Sequence, residues 1–434
     1  MTGQETKIES QDNLPHGRSA KTTVWVNSSY FAEGLPYWIV RFIMTVFFTD
    51  VGVRELYLGF INFLGIPWNL KFLWAPLVDL YSTKRRWMLI IQLTIAATIT
   101  CVAVLSLWTL PGAPVPARIL DFIAFLGLGL AFISSTHDIS IDAYYLAALT
   151  NKSDQALYTG DRVLSYRIAT IYARSVLVAA AAVVGWATTW GIAALTMLIL
   201  YLFHSWYLPQ PEVSATRADN SIRQVARRFL EAFRTYLDQP RVAVMLAFIV
   251  TFKMGDDILL SMYTPFLMRY LGVTKLQLSW VTGILGTTGM IIGSLMSAWW
   301  ISKVGLKRAL WPLALLMNIN ILAYVGLAYW KPDPTTTSGI AWIAGLNMYE
   351  QWAMGLGNAV LLVYLLRTCR PEHKAAHYAV GSAFMSLTLT LFGGFSGMIV
   401  EAIGYVWLFL IGFFVSIPSM MLILWIPHLD DQPK

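Results

Sequence analysis

The chain has 434 residues, of which 57% are apolar, 14% aromatic and only 13% charged. Soluble globular domains carry about 25% charged residues, so this composition excludes a soluble enzyme, a nucleic-acid-binding protein and a disordered chain. The net charge of +7 does not indicate nucleic acid as a partner, because the basic residues lie in short loops between apolar segments, where membrane topology explains them. The sequence therefore predicts a polytopic membrane protein.

The predicted elements begin with a polar tail. Residues 1–23 are mixed in charge and lack both the apolar core and the small-residue cleavage site of a signal peptide, so we expect a cytoplasmic amino-terminal tail. Twelve apolar segments follow, each long enough to cross about 30 Å of hydrocarbon as a helix. We number these predicted spans 1 to 12, at approximately 24–48, 55–80, 87–110, 117–149, 162–186, 189–208, 241–269, 275–301, 309–330, 339–367, 373–401 and 404–427.

One long polar stretch, 209–240, separates the first six spans from the last six. Its arginines alternate with apolar residues at near-helical spacing, which is typical of an amphipathic helix lying on an anionic membrane face. A calmodulin-like target helix is the less favoured alternative. We therefore predict a six-helix bundle at 24–208, a cytoplasmic amphipathic linker at 209–240, a second six-helix bundle at 241–427 and a short cytoplasmic tail at 428–434.

Basic residues are unevenly distributed between alternate loops. One side holds the basic linker and most of the other lysines and arginines of the loops. The opposite side holds only Arg54, Arg118, Arg269, Lys275 and Lys331. The positive-inside rule places both termini and the linker in the cytoplasm. An all-α membrane protein of 12 transmembrane helices with this layout resembles the major facilitator superfamily, whose two six-helix halves pack around a midplane site. Other twelve-span carriers remain an alternative.

Charged residues inside the predicted spans cost several kcal/mol each and so mark candidate functional sites. Away from the span ends, all the acids lie in spans 1, 4, 7 and 10, which line the central cavity in the superfamily that the layout resembles. They are Glu33, Asp138, Asp142, Asp256, Asp257 and Glu350. The bases away from the span ends are Arg41, Lys71, Arg167, Arg174 and Lys253. This pattern indicates a polar transport path, although structural ion pairs between helices are the alternative.

The spacing of these residues suggests individual roles. Asp138 and Asp142 are four residues apart, so they project from one helix face and are suited to share a proton. We predict that proton coupling uses Asp138, Asp142, Asp256, Glu350 and Glu33. Basic side chains suit an anionic solute, and aromatic rings can stack on sugars, bases or catecholates. The residues that we assign to substrate binding are Lys71, Lys253, Arg41, Arg174, His137 and Trp352.

The turn between spans 2 and 3 is a candidate gate. It places an acid at a helix end before a tight basic loop, which can pair with a neighbouring helix in one conformation only. The predicted gating residues are Asp79, Lys84, Arg85, Arg86 and Arg167. The positive-inside rule alone is the alternative explanation of this loop, and structural pairing is the alternative for Asp79 and Arg167.

The sequence contains no P-loop, nucleophile elbow or metal-binding histidine pair, and its two cysteines lack metal-ligand spacing. We therefore predict no catalytic residue, cofactor or metal, and no enzyme activity. Transport energy is expected to come from an ion gradient, with protons favoured by the carboxylates.

Four stretches resemble the AmpG-type permeases, the branch that contains bacterial muropeptide importers, siderophore permeases and eukaryotic acetyl-CoA transporters. They are residues 30–37 (YFAEGLPY), 67–79 (PWNLKFLWAPLVD), 137–144 (HDISIDAY) and 252–256 (FKMGD). The resemblance implies that the polar transport core consists of Lys71, Asp138, Asp142, Lys253 and Asp256. The family usually has glutamine where this chain has His137, whose imidazole could alter proton coupling or substrate choice.

We therefore expect a proton-coupled symporter that imports an anionic amphiphilic solute, with a cell-wall-derived anhydromuropeptide as the first choice. The alternatives are a siderophore or acetyl-CoA permease of the same family, or a non-transporting sensor with the same fold. The expected partners are the small-molecule solute, protons and the lipid bilayer, without nucleic acid. We expect a monomer in the bacterial inner membrane.

Overall fold

The computed structural model describes residues 18–109, 115–210 and 222–429. Within these ranges the secondary structure is helical, with turns between the helices. Eight helices of the described residues are long and apolar enough to cross a membrane. They are Ala20–Asp50, Lys84–Trp108, Ala117–Ala148, Thr159–Val183, Gly185–Tyr207, Lys275–Val304, Leu306–Trp330 and Ala376–Leu422.

These eight helices account for nine predicted spans, because Ala376–Leu422 covers spans 11 and 12. The backbone of that helix is interrupted at Gly404, whose φ of 84° and ψ of 173° are not helical. A residue with a Cβ would be strained at this φ, so glycine permits the tight turn between the two spans. The predicted boundary between spans 11 and 12 coincides with this break.

Span 2 is built from short helical pieces rather than one continuous helix. Pro67 and Pro76 each stand in the first turn of a piece, where the missing N–H of proline costs no hydrogen bond. The pieces are Glu55–Phe60, Ile61–Gly65, Ile66–Leu70, Lys71–Leu73 and Ala75–Leu80.

Span 7 is also interrupted, whereas span 10 is one helix, Thr337–Arg367. The pieces of span 7 are Val242–Thr251, Met254–Ser261, Tyr263–Pro265 and Phe266–Tyr270. The crossing of the bilayer by spans 2, 7 and 10 stays a prediction. The count of twelve spans therefore stays a prediction as well. The linker contains a helix, Ile222–Leu237, and residues 1–17, 211–221 and 430–434 of the predicted tails and linker lie outside the described residues.

The described helices form two compact units. Unit 1 takes the described residues of Met1–Ile39, Leu73–Tyr172 and Trp186–Asp219. Unit 2 takes those of Val40–Phe72, Ala173–Gly185 and Asn220–Lys434. Parts of spans 1, 2 and 5 therefore belong to the unit that contains spans 7 to 12. The division into two six-helix bundles stays a prediction.

Each unit has its own apolar core. In unit 1 the core includes Trp25, Tyr144 and Tyr145, whose rings contact one another edge-on or tilted. In unit 2, Phe248 and Tyr364 meet edge-on at a centroid distance of 5.1 Å within a larger cluster of buried residues. These cores hold the helices that carry the polar residues of the candidate site.

Candidate transport site

Two buried carboxylates form the centre of the polar site in unit 2. Asp256 lies in the helix Met254–Ser261 and Glu350 lies in Thr337–Arg367, and both side chains are fully buried. Neither oxygen of Asp256 has a hydrogen-bond donor among the described residues, and the same holds for Oε1 of Glu350. Gln351 Nε2 donates to Glu350 Oε2 over 2.7 Å. The two carboxylates are close enough for their charges to repel each other.

Glycine packing fixes the position of the first acid. A Cβ on Gly255 would overlap the carbonyl oxygen of Gly412 and approach Ser416 within 3.1 Å. Because neither glycine has a side chain, the backbones of spans 7 and 12 approach closely at this point. The break in span 7 before Met254 and this glycine contact together hold Asp256 inside unit 2.

The adjacent acids Asp256 and Asp257 have different surroundings. Lys253 Nζ lies 3.6 Å from Asp257 Oδ1, one helical turn away, and both side chains are largely buried. Lys253 therefore forms an ion pair with Asp257, although the sequence allowed a pair with either acid. Arg41 acts electrostatically on Asp257 as well, and its Nη1 donates to the carbonyl oxygen of Asn62 over 2.9 Å.

Arg174 is the buried cation nearest to the amide group that binds Glu350. Its side chain is 4% exposed, and its Nη1 donates to Gln351 Oε1 over 3.5 Å. Its guanidinium also lies over the ring of Phe42, 4.7 Å from the centroid. Gln351 thus links a base of span 5 with the acid of span 10.

The same helix supplies further polar and aromatic groups. Asn347 Nδ2 donates to the hydroxyl oxygens of Tyr263 and Tyr324, over 2.5 and 3.2 Å. Trp352, predicted to bind the solute, stacks on Tyr349 at a centroid distance of 5.9 Å. Span 10 thus carries an amide, a carboxylate and a stacked aromatic pair within two turns.

Lys71, another predicted substrate residue, lies in the short turn Lys71–Leu73 of span 2 and is half-buried. Its charge acts on Tyr378 of span 11. In the same part of unit 2, Asn69 donates to Thr390 Oγ1 over 3.0 Å and accepts from Ser386. These contacts join spans 2 and 11.

In unit 1, Asp142 takes part in an ion pair that the sequence pattern did not predict. Arg162 Nη2 lies 2.7 Å from Asp142 Oδ1, and the Tyr30 hydroxyl donates to the same oxygen over 2.8 Å. The guanidinium also stacks over Tyr30 and Tyr145, at 4.4 and 4.6 Å. Asp142 is 44% exposed, so it is compensated and partly hydrated.

Two other predicted proton-coupling acids of unit 1 lie around a half-buried tyrosine. Tyr166 is within electrostatic range of Glu33, Asp138 and Arg167. Gly34 allows this ring to approach span 1, because a Cβ there would lie 3.1 Å from it. The structure therefore brings together two of the predicted proton-coupling acids and one predicted gating residue.

His137 is fully buried in unit 1, and neither ring nitrogen has a hydrogen-bond partner among the described residues. It lies within electrostatic range of His204. His204 contacts Gln92 over 2.8 Å and Ser28 Oγ over 3.0 Å. This imidazole thus lies inside the unit, next to a second buried histidine.

The basic residues of the predicted gate bind helix ends within unit 1. Lys84 Nζ donates to the carbonyl oxygen of Val78 over 2.8 Å, and Arg85 donates to that of Ser205 over 2.5 Å. Cations are favourable at such carboxyl ends because the last carbonyl groups lack helical partners. Arg86 lies in the first turn of the next helix, Lys84–Leu105, where its N–H donates to Thr83 Oγ1. The side chain of Asp79 lies outside the described residues.

Sequence reasoning missed a cluster of ion pairs at the other end of the helices. Arg269 donates to the carbonyl oxygens of Phe48, Thr49 and Val53 and to Glu55 Oε1, over 2.5 to 3.2 Å. These carbonyls follow the end of span 1, where a cation is favoured.

Two further pairs lie at the same end of unit 2. Arg54 Nη2 is 2.7 Å from Glu401 Oε2, and Lys275 Nζ is 2.6 Å from Asp50 Oδ2. The hydrogen bond to Glu401 raises the pKa of Arg54 above its ordinary value. The sequence contained one signal for these pairs, because few basic residues lie on this side of the membrane. Three of those few, Arg54, Arg269 and Lys275, each have an acid as partner.

The chain matches the family model described as Major Facilitator Superfamily over residues 246–434. It is 25% identical to the anhydromuropeptide permease of Escherichia coli K12 over 401 residues, 91% of this chain and 77% of that one. The putative transporter AmpG 4 of Rickettsia felis is 23% identical and covers 91% of this chain and 94% of its own. The solved structure of the nucleoside transporter NupG has a TM-score of 0.69 at 17% identity, with 93% and 98% of the two chains covered. Residues 246–434 thus resemble the major facilitator superfamily, and the chain shares its fold with a solved transporter.

The prediction of a multi-pass membrane transporter rather than an enzyme agrees with these comparisons, because the relatives and the solved structure of the same fold are transporters. The predicted resemblance to AmpG-type permeases is confirmed by relatives of that name that match over nearly its whole length. The fold class is confirmed by the helical secondary structure and by the solved transporters of the same fold.

Proposed function

We propose that this protein is a proton-coupled symporter that imports an anionic amphiphilic solute, with an anhydromuropeptide as the first candidate. The choice of solute rests on the similarity to the Escherichia coli permease of that name. The excess of basic residues in alternate loops supports cytoplasmic termini, and an inner-membrane location agrees with the bacterial relatives.

The burial of Asp256 and Glu350 is the observation that carries proton coupling. An ionised carboxylate that is buried with few hydrogen-bond donors costs several kcal/mol, and a second carboxylate beside it adds repulsion, whereas the protonated acid is tolerated. We therefore assign the transported proton first to this pair, which has three oxygens without a donor among the described residues. Asp138 and Glu33 remain candidates for the same role. The ion pair with Arg162 supports a structural role for Asp142.

The bases next to this pair suggest how proton and solute are coupled. Gln351 connects Glu350 with Arg174, whose charge is partly offset while Glu350 is ionised. When Glu350 takes up the proton, that charge is available for the anionic group of the solute. Proton binding therefore precedes solute binding, which gives symport. Lys253 and Arg41 contribute positive charge nearby, and the stacked rings of Tyr349 and Trp352 offer an apolar face.

Uptake into proteoliposomes tests this proposal. The purified protein should accumulate labelled anhydromuropeptide under an inward proton gradient, and a protonophore should abolish the accumulation. The variants Asp256→Asn and Glu350→Gln should lose accumulation but keep exchange of labelled for unlabelled solute. The reason is that the amide side chains are uncharged, like the protonated acids, but cannot release a proton. Asp121→Asn is a matched control, since Asp121 is an exposed acid.

Normal gradient-driven accumulation by both carboxylate variants would contradict the assignment of the proton site. Failure of the wild-type protein to take up or exchange the muropeptide would instead contradict the choice of solute. A ferric siderophore and acetyl-CoA would then be tested in the same vesicles.

A further inference from the structure

An apolar cavity of about 150 Å³ lies in unit 2, and none of the buried acids is among the residues that line it. It is bounded by span 2, span 11 and the linker helix Ile222–Leu237. Its lining residues are Asn69, Leu70, Phe72, Phe233, Val380, Ala383, Phe384 and Leu387. An apolar cavity of this size stays dry and accepts a group about as large as benzene.

The polar residue among those that line the cavity uses both its amide nitrogen and its amide oxygen in hydrogen bonds within the protein. The amide nitrogen of Asn69 donates to Thr390 and its amide oxygen accepts from Ser386. A sugar or peptide group in this cavity would leave its own polar atoms without partners, at a cost of several kcal/mol. The ligand part that enters the cavity is therefore a hydrocarbon.

The linker helix that closes the cavity has a basic face. Arg227 and Arg234 are exposed and lie seven residues apart, two turns along one face of the helix. Between them Leu230 is 48% exposed, and Phe233, next to Arg234, lines the cavity. Glu231, the exposed acid of this helix, lies between the two arginines on the same face, so the three side chains together carry a net charge of +1.

Hydrogen bonds hold this helix in place on span 11 and the end of span 10. Tyr236 is fully buried, and its hydroxyl lies 3.3 Å from Thr368 Oγ1. Gln239 Nε2 donates to the carbonyl oxygen of Thr368, and Thr235 Oγ1 contacts His377 Nε2 over 3.0 Å. Because these contacts order the helix, the arginines and the cavity have a fixed relation to each other.

We propose that this place binds an anionic phospholipid of the bilayer, with part of one acyl chain in the cavity and the phosphate at Arg227 and Arg234. A hydrocarbon slot beside two exposed guanidinium groups is complementary to an anionic amphiphile. The chain is a membrane protein, so the bilayer supplies such a molecule at high concentration. A bound acyl chain would contact spans 2 and 11 and the linker helix at once.

The proposal is tested with the full-length protein and defined lipids. Native mass spectrometry measures the binding of phosphatidylglycerol and of phosphatidylcholine to the detergent-purified protein over a titration. We expect one tightly bound phosphatidylglycerol and much weaker binding of phosphatidylcholine. Each basic residue near an anionic group is worth about fivefold in affinity, so Arg227→Gln with Arg234→Gln should weaken phosphatidylglycerol binding about 25-fold. Arg118→Gln, which changes an exposed arginine elsewhere, should leave it unchanged.

A second variant tests the cavity itself. Ala383→Leu fills part of the space and should release the acyl chain without altering the charge at the rim. Size-exclusion chromatography and a thermal melt show whether this variant folds. If it does not fold, the arginine variants, which alter only exposed side chains, still decide the outcome.

Three results would overturn the proposal. Equal affinity for the two phospholipids would show that the arginines do not select an anionic headgroup. Displacement of the lipid by soluble glycerophosphate at similar concentration would show that the site binds the anion without the chain. Displacement by the muropeptide would instead assign the cavity to the transported solute.

Discussion

The contacts of Arg269 predict that one substitution will open one end of the transport path. In the present conformation its guanidinium joins span 7 to the end of span 1 and to Glu55 of span 2. Removal of the side chain in Arg269→Ala takes the guanidinium donors away from the carbonyl oxygens of Phe48, Thr49 and Val53, of which the first two keep a backbone N–H donor. We expect the variant to populate a conformation in which this end of spans 1 and 2 has separated from span 7.

The size of the effect follows from the number and type of these hydrogen bonds. A hydrogen bond that involves a charged group contributes about 1.5–3 kcal/mol. The side chain of Arg269 is 24% exposed, so water replaces part of what is lost and the bonds do not add fully. A net loss of about 3 kcal/mol would change the equilibrium between the two conformations by a factor on the order of 100. Arg269→Lys should have an intermediate effect, because lysine keeps the charge but not the planar set of donors.

The assay is a distance measurement between spin labels at position 51 and at position 329, which is exposed on span 9 next to the end of span 7, in a background where Cys101 and Cys369 are replaced by serine. Double electron–electron resonance should give one short distance in the parent protein and an added longer distance in Arg269→Ala. Arg118→Ala is the matched control. If the variant and the control give the same distance distribution as the parent, the closing role of Arg269 is refuted.

Three smaller predictions concern other contacts. Arg54→Gln with Glu401→Gln should shift the same distance distribution far less than Arg269→Ala, because the Arg54 side chain is 66% exposed. Gly255→Ala should lower the free energy of unfolding in detergent by about 1–3 kcal/mol, because the new Cβ meets the backbone of a facing helix. Gly191→Ala should leave it unchanged, because a Cβ at that position meets open space. Asp138→Asn should lose gradient-driven accumulation in the vesicle assay, and normal accumulation would remove this acid from the coupling machinery.

The helix boundaries could be predicted because hydrocarbon requires long apolar runs. The segment predicted at 117–149 is the helix Ala117–Ala148, and that predicted at 309–330 is Leu306–Trp330. The breaks inside span 2 were not predicted, although its prolines were visible. An apolar run indicates that a segment lies in lipid, but it does not indicate whether the helix is continuous. Short helical pieces separated by tight turns have the same average hydropathy as one unbroken helix.

The acids of the site could be predicted, but their partners could not. A carboxylate in an apolar span is costly and therefore visible in the sequence, as for Asp256 and Glu350. A partner depends on which helices are adjacent, and the sequence does not contain that information directly. Asp142 was paired in our prediction with its neighbour on the same helix, whereas the structure pairs it with Arg162 and with Tyr30, 112 residues away.

Three arginines of unit 2 share a backbone feature that no hydropathy pattern reveals. Arg41, Arg174 and Arg269 lie in the π-helical turns Ile39–Ile43, Tyr172–Leu177 and Phe266–Tyr270. A π-helical turn contains one more residue than an α-helical turn, so it changes the direction of the side chains that follow and is frequent at functional sites.

Two of these turns also coincide with the places where spans 1 and 5 pass from unit 1 to unit 2, at Ile39 and Tyr172. The widened turn therefore combines two properties at one position. It directs a guanidinium into unit 2, and it interrupts the regular hydrogen bonding where the helix changes unit. A helix that must bend for transport and bind an anion is expected to do both at such a turn, because a regular helix resists bending and a buried guanidinium needs nearby acceptors. Arg174, which contacts Gln351 beside Glu350, lies in such a turn, so the proposed solute cation and the interruption of the regular helix of span 5 occur at one position.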